Sequence, residues 1–265
     1  GTVTYTKTSG IFTAGSCPNN GTYTNTWVAK DVCNNSSSTF TQVITIQDTT
    51  APTWSTTAAS LNATIECSNA SAIAAAQAQY PVATDNCDSY VTNIVKNTGQ
   101  FVASEECPNA GTYTNTWTVT DACGNTSEVF IQTINIIDNT ASTWTTSVSS
   151  LDITLECSDV TGLATAQAQF PIATDNCDSD VTNIVKTVGQ FVASSSCANA
   201  GTYTNTWTVT DACGNTSEVF MQTINIIDTT APNWTTAVSS LDITLECSDV
   251  NGLATVQAQF PVAAD

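Results

Sequence analysis

The spacing of the cysteines constrains this chain more than any other feature. Cys17, Cys107 and Cys197 stand 90 residues apart, as do Cys33, Cys123 and Cys213, and Cys67, Cys157 and Cys247. Cys87 and Cys177 continue the series, whose next member falls just past Asp265. The odd total of eleven is therefore expected to reflect truncation and not a free reactive thiol. A fixed period of this length marks tandem structural units that stack on their neighbours. The segment GTYTNTWTVTDACGNTSEVF occurs at 111–130 and again at 201–220, and 21–40 carries a diverged copy, GTYTNTWVAKDVCNNSSSTF.

Candidate linkers recur at the same period. Asp48-Thr-Thr-Ala-Pro52 and Asp228-Thr-Thr-Ala-Pro232 frame a middle version, Asp138-Asn-Thr-Ala-Ser142, that lacks the proline. Proline donates nothing to a sheet ladder and suits a junction between sheets. The expected division is a C-terminal half-repeat at 1–48, complete repeats at 49–138 and 139–228, and the N-terminal part of a further repeat at 229–265. Short linkers of this kind leave little slack, so the expected chain is extended and stiff.

Within a repeat the periodicity is that of strands. Tyr113, Asn115, Trp117 and Val119 fall on one face of 111–120, and Thr112, Thr114, Thr116, Thr118 and Thr120 on the other. Asn115 interrupts the apolar face, and its partner is not evident from sequence. After the Gly124-Asn125 turn signal, residues 128–137 form the next strand, so the two make a hairpin. Residues 151–156 alternate as an early strand and 181–185 as a middle one. Residues 71–79, rich in Ala and Gln and followed by Pro81, read as a short helix. Short strands with frequent turns in a unit of this length indicate an all-β, Ig-like sandwich.

The composition narrows function. Four Lys and no Arg oppose twenty-three acids, for a net charge of −19, which disfavours nucleic acid and anionic membrane surfaces as partners. No apolar run approaches the ~20 residues of a membrane span. Without histidine or CxxC pairs the cysteines do not read as zinc ligands. They read as disulfides, which place the chain outside the reducing cytosol. The absence of histidine also excludes Ser-His and Cys-His nucleophile systems. Carboxylate pairs support glycoside hydrolysis elsewhere, but here the acids recur in every copy. An enzyme is therefore not expected.

Cys107 precedes the strand 111–120 and Cys123 follows it. Ten extended residues cover ~33 Å, far more than the ~7 Å limit between bridged Cα atoms, so the two belong at opposite ends of a repeat. Cys87 and Cys123 both follow a Thr-Asp step and are placed at the end nearer the N-terminus, with Cys67 and Cys107 at the other. This favours Cys67–Cys107 and Cys87–Cys123, repeated as Cys157–Cys197 and Cys177–Cys213, with no free thiol expected at Cys67, Cys87, Cys107 or Cys123. The alternative is nearest-neighbour pairing, Cys67–Cys87 and Cys107–Cys123.

The run ATDNCD, a Cys-Pro/Ala-Asn-x-Gly turn, TWTVTDACGN and QTINIIDTTAP together resemble the hyalin-repeat-like (HYR-like), Ig-like tandem modules of Bacteroidota cell-surface adhesins, including those of gliding motility. The resemblance covers the whole chain, although Asp31-Val-Cys-Asn-Asn departs from DACGN in the first copy. It implies a disulfide-bonded sandwich, type 9 export, and a stalk role in a secreted, outer-membrane-anchored filament. Expected partners are adjacent repeats of the same chain, other filament or outer-membrane surface proteins, or surface glycans. The competing functional reading is a glycan- or protein-binding module.

Three surface features remain. Carboxylates cluster at the expected repeat ends: Asp138, Asp175, Asp178 and Asp211, with Glu66 approaching from the preceding repeat. Asp48, Asp85, Asp88 and Asp121 form the matching set one repeat earlier. Calcium wants six to eight oxygens from such loops and is the one cofactor this pattern suggests, against a plain role for Asp in turns. The DTT triplets make Thr49 and Thr229 candidate O-glycosylation sites, whereas Asn125 and Asn215 in Asn-x-Ser/Thr triplets carry little weight. Trp27, Trp117 and Trp207 read as core, and Trp54, Trp144 and Trp234 as core or junction residues. The Thr face reads as an ordinary solvated strand surface.

Overall fold

The computed structural model describes residues 1–179 and 181–265. The first segment carries β1 (Val3–Thr8), β2 (Phe12–Ala14), β3 (Gly21–Asp31) and β4 (Phe40–Ile46). The next repeat runs β5 (Thr53–Trp54), β6 (Ala63–Glu66), α1 (Ala70–Gln77), β7 (Ala83–Thr84), β8 (Ile94–Asn97), β9 (Val102–Ala103), β10 (Gly111–Val119) and β11 (Phe130–Ile137). The following one repeats this order as β12 (Thr143–Trp144), β13 (Ile153–Glu156), α2 (Val160–Gln167), β14 (Ala173–Thr174), β15 (Ile184–Thr187), β16 (Val192–Ala193), β17 (Gly201–Val209) and β18 (Phe220–Ile227). The last segment has β19 (Asn233–Trp234), α3 (Val250–Gln257) and β20 (Ala263–Ala264). No helix among the described residues is long and apolar enough to cross a membrane.

Each repeat is an Ig-like sandwich built on one long hairpin. β10 and β11 pair antiparallel from Gly111–Ile136 to Trp117–Phe130. β6 adds parallel to β11, while β8 and β9 pair antiparallel with the other edge of β10. The small β5–β7 ladder, α1 and the fully buried Pro81 cover the inner face. The alternation read from sequence holds: Asn115, Trp117 and Val119 are buried, as are Phe130, Gln132, Ile134 and Ile136. Trp117 packs edge-on against Phe130 and Tyr80. Burying each large apolar side chain contributes on the order of 1.5–3 kcal/mol. The helix begins where Asn69 caps Ala72 N–H in α1 and Asp159 caps Gly162 N–H in α2, and it turns Ala76 or Ala166 onto β11 or β18.

The polar break in the apolar face is resolved by a buried amide network. Asn115 Nδ2 donates to Gln132 Oε1 at 2.9 Å and to Gln77 Oε1 at 2.8 Å. Its Oδ1 accepts Gly99 N–H at 3.1 Å. Gln132 Nε2 donates to the Leu61 and Ala76 carbonyls, tying the turn before β6 and α1 to the hairpin. Asn205, Gln222 and Gln167 repeat the arrangement. Gly99 is required here because a Cβ would collide with the Thr114 backbone. The TDACGN turn places Gly124 at φ 94° and Gly214 at φ 92°. In the diverged copy Asn34 takes that role at φ 69°, which explains how Asp31-Val-Cys-Asn-Asn keeps the turn, since Asn tolerates the left-handed region.

The chain divides into two compact units. One comprises Gly1–Ser142 together with Thr174–Val181 and Thr210–Thr216. The other comprises Thr143–Ala173, Thr182–Val209 and Ser217–Asp265. The first therefore includes two loops that belong in sequence to the repeat after it.

Candidate functional site

Those two loops are held by disulfides. Cys67 pairs with Cys177 and Cys107 with Cys213, while Cys17 pairs with Cys123, at Cα separations of 5.8, 4.5 and 5.1 Å. The expected pairings Cys67–Cys107, Cys87–Cys123, Cys157–Cys197 and Cys177–Cys213 are corrected by this connectivity. The assignment of cysteines to ends agrees with it. Cys67 and Cys107 lie at the end of the repeat that meets the next loops, and Cys123 lies at the end that meets the preceding segment. The bonds cross between repeats, however, and are not made within one. The pairing classes are those of the nearest-neighbour alternative, displaced by one repeat, so the long strand β10 no longer forbids them. Cys33, Cys87, Cys157, Cys197 and Cys247 are thiols in the structure. This corrects the expectation of no free thiol at Cys87 and of a bond between Cys157 and Cys197. The partner position that the repeat assigns to each of the five lies outside residues 1–265. The bonded pairs are separated by 106 to 110 residues. Taken singly, bridges over such loops are worth about 4–5 kcal/mol in the chain-entropy account.

Carboxylates surround the bridges. Oxygens of Glu66 and Asp138 lie within 4.8 Å of each other and of the Cys67 and Cys177 sulfurs, and Asp138 and Asp211 approach equally closely beside Cys213. Asp138 is buried, and its pKa is raised, first by desolvation and then by Asp175, Asp211 and Glu66, with an opposing hydrogen bond from Thr140 N–H. Glu66 Oε1 accepts from Asn139 N–H and the Thr140 hydroxyl, and Asp175 Oδ2 accepts from the Ser142 hydroxyl at 3.3 Å. One repeat earlier Asp48 and Asp85 come together beside the Cys87 thiol, whose pKa is raised by desolvation and by these acids. The other acids have turn work. Asp121 Oδ1 accepts from the N–H groups of Cys123 and Asn125, and Asp211 does the same for Cys213 and Asn215. Asp178 shares a loop with Asp175, whose Oδ1 accepts Asp178 N–H. Asp88 reaches back to Asn19 at 2.6 Å and across to Ala122 N–H at 2.8 Å.

With four cysteines per period in a sandwich of this topology, the comparison with known families is decisive. The model of the HYR-like domain with four cysteines matches residues 55–136 and again 149–226. The chain belongs to the HYR-like family. No curated protein matches it. Among solved structures it is similar to mouse clustered PcdhgC3 EC1-3, at TM-score 0.30 and 12% identity over 81% of this chain and 79% of that one. Drosophila N-cadherin EC1-4 is similar at TM-score 0.30 and 12% identity, over 79% and 58%. The sialic acid binding region of the Streptococcus sanguinis SK1 adhesin, bound to 3'sLn, is similar at TM-score 0.22 and 16% identity, over 84% and 60%. At these TM-scores the likenesses carry no inference for this chain.

The remaining features belong to the individual HYR-like repeats. Trp54 and Trp144 stay within their own repeats. Each indole donates to a carbonyl, of Glu128 or Glu218, and packs against Phe130 or Phe220. An open groove runs beside each, lined by Trp54, Asn62 and Ile131 in one HYR-like repeat and by Trp144, Asp152 and Met221 in the next. Trp234 is exposed. Thr49 is exposed, whereas the Thr229 hydroxyl is engaged by Glu156. The side-chain amides of Asn125 and Asn215 are committed to Asp121 and Asp211 and to the Asp48 and Asp138 carbonyls. Sequence reasoning missed the cross-repeat sense of the bridges. It also missed the Gln partners of Asn115, although Gln42, Gln132 and Gln222 recur at the repeat period.

Proposed function

We propose that this chain is a load-bearing stalk segment of a secreted cell-surface filament that serves surface attachment or gliding, and that it is not an enzyme. Complete structural repeats at 49–138 and 139–228, type 9 export and anchoring at the outer membrane complete this reading, which draws on the resemblance to surface adhesins. The observation that carries it is the cross-repeat disulfide. The shortest covalent route along the chain enters at Cys17, crosses to Cys123, returns along β10 to Cys107 and crosses to Cys213. Each 90-residue period thus contributes only about 16 residues to a fully stretched molecule, ~60 Å with its bridge against ~320 Å for the open chain. Such a segment transmits tension without paying out length, which is what a tether requires.

Single-molecule stretching of the oxidised chain tests this. Extension is expected to stop far short of the open-chain length, and a reducing agent is expected to release hidden length of roughly 260 Å for each bridged period. Full open-chain extension under oxidising conditions would refute the proposal. The second reading, a glycan- or protein-binding module, is favoured by one observation: the groove beside Trp54 recurs beside Trp144.

A further inference from the structure

Asp138 is 6% exposed and Asp48 is 5% exposed. The Oδ2 atom of each is buried without a hydrogen-bond partner, as is Oδ2 of Asp85. A buried carboxylate oxygen is costly unless something neutralises it. What surrounds Asp138 is of like charge: Glu66 and Asp211 each bring an oxygen within 4.8 Å of it, and Asp175 acts on it from the facing loop. The chain's own cations are elsewhere. Lys7 lies over Trp27, Lys96 over Trp117 and Lys186 over Trp207, and Lys30 is in β3. The same orphaned oxygen occurs at the same place in two successive repeats. Asp85 is orphaned where Asp175 is not because Pro52 replaces Ser142, the hydroxyl that serves Asp175.

We infer that Asp138 is a ligand of a hard divalent cation, calcium, held together with Glu66, and that Asp48 with Asp85 forms the equivalent site one repeat earlier. The donors at Asp138 are oxygens, because the Cys67 and Cys177 sulfurs are spent in their disulfide and Cys213 in another. Carboxylate oxygens select calcium over softer ions, and water completes its six to eight ligands. Asp138 comes from the linker and Glu66 from the end of β6, while Asp175 and Asp211, whose oxygens are engaged within their own loops and by Ser142, flank the pair. An ion there ties the linker to the end of β6 within the first compact unit. The inference stands independently of the stalk reading.

The test uses the whole oxidised chain after treatment with a chelator. Calcium chloride is titrated in by calorimetry, and thermal melts are run with calcium and with EGTA. Saturable binding and a melting temperature several degrees higher in calcium are expected. The isosteric double variant Asp48→Asn/Asp138→Asn is expected to abolish both, with an unchanged circular dichroism spectrum. Glu66→Gln, at a half-buried and more tolerant position, is expected to weaken binding by roughly tenfold as one charged ligand is lost. The inference is overturned by no heat and no melting shift, by binding that survives in the double variant, or by a response to zinc alone. It is equally overturned if Asp138→Asn raises the melting temperature to the same extent in calcium and in EGTA, which would identify a shared proton in place of an ion.

Discussion

Removing the Asn115 side chain tests the buried amide network and has a built-in reference. Asn115→Ala leaves Gly99 N–H and Gln132 Oε1 without their partners in a site where Asn115 and Gln132 are 0% exposed. Each orphaned buried group costs about 1–3 kcal/mol, so the pair costs about 2–6 kcal/mol before relaxation. The second repeat retains its intact copy on Asn205 and Gln222. Hydrogen exchange read by mass spectrometry distinguishes peptides from β10–β11 and β17–β18. At ~1.4 kcal/mol per decade, exchange in the altered repeat is expected to accelerate by at least about 30-fold while β17–β18 changes little. Because Asn115 and Gln132 share one network, Asn115→Ala/Gln132→Ala is expected to cost about 0.5–3 kcal/mol less than the sum of the single changes. Unchanged exchange in the altered repeat, or strict additivity, would refute the argument that the network is a cooperative unit.

Two further expectations are direct. Peptide mapping of the unreduced chain should recover Cys17–Cys123, Cys67–Cys177 and Cys107–Cys213 as linked pairs, and recovery of Cys67–Cys107 would contradict the cross-repeat arrangement. Lys96 lies 5.1 Å from the Trp117 ring, donates to the Gln77 carbonyl, and has its pKa lowered below 10.5 by desolvation. The folded state therefore loses this proton before the unfolded state does, so this lysine's destabilising contribution is full below the folded pKa and fades as pH rises toward 10.5. The melting temperature of the parent minus that of Lys96→Met should rise through that window, and a flat difference would sink the assignment.

The repeat, the hairpin and the helix were legible because each rests on local pattern. Tyr113, Asn115, Trp117 and Val119 alternate, and Ala and Gln before Pro81 mark a helix whose cap, Asn69, lies just ahead of the stretch read from sequence. The disulfides were legible only as to which end each cysteine occupies. Shifting a partner by one period leaves every local spacing unchanged, so sequence cannot separate a bond within a repeat from the same bond made to its neighbour. The acids were legible as a cluster but not as roles. Asp121 and Asp211 hold turns through N–H groups two and four residues ahead, a habit of Asp that TDACGN already displays. Asp48 and Asp138 are buried to the same degree but each leaves Oδ2 without a partner, which no spacing reports.

The overlapping bridges also separate the continuity of the molecule from that of its backbone. A peptide bond broken anywhere between Cys17 and Cys213 is spanned by at least one disulfide. Between Cys67 and Cys177 it is spanned by at least two, and within the Cys107–Cys123 stretch by all three. A protease that nicks an exposed loop between Cys17 and Cys213 therefore severs nothing: the fragments stay joined until a reductant also acts. Failure over that stretch demands two unrelated chemical insults, hydrolysis and reduction, and outside the cell the second is the scarcer.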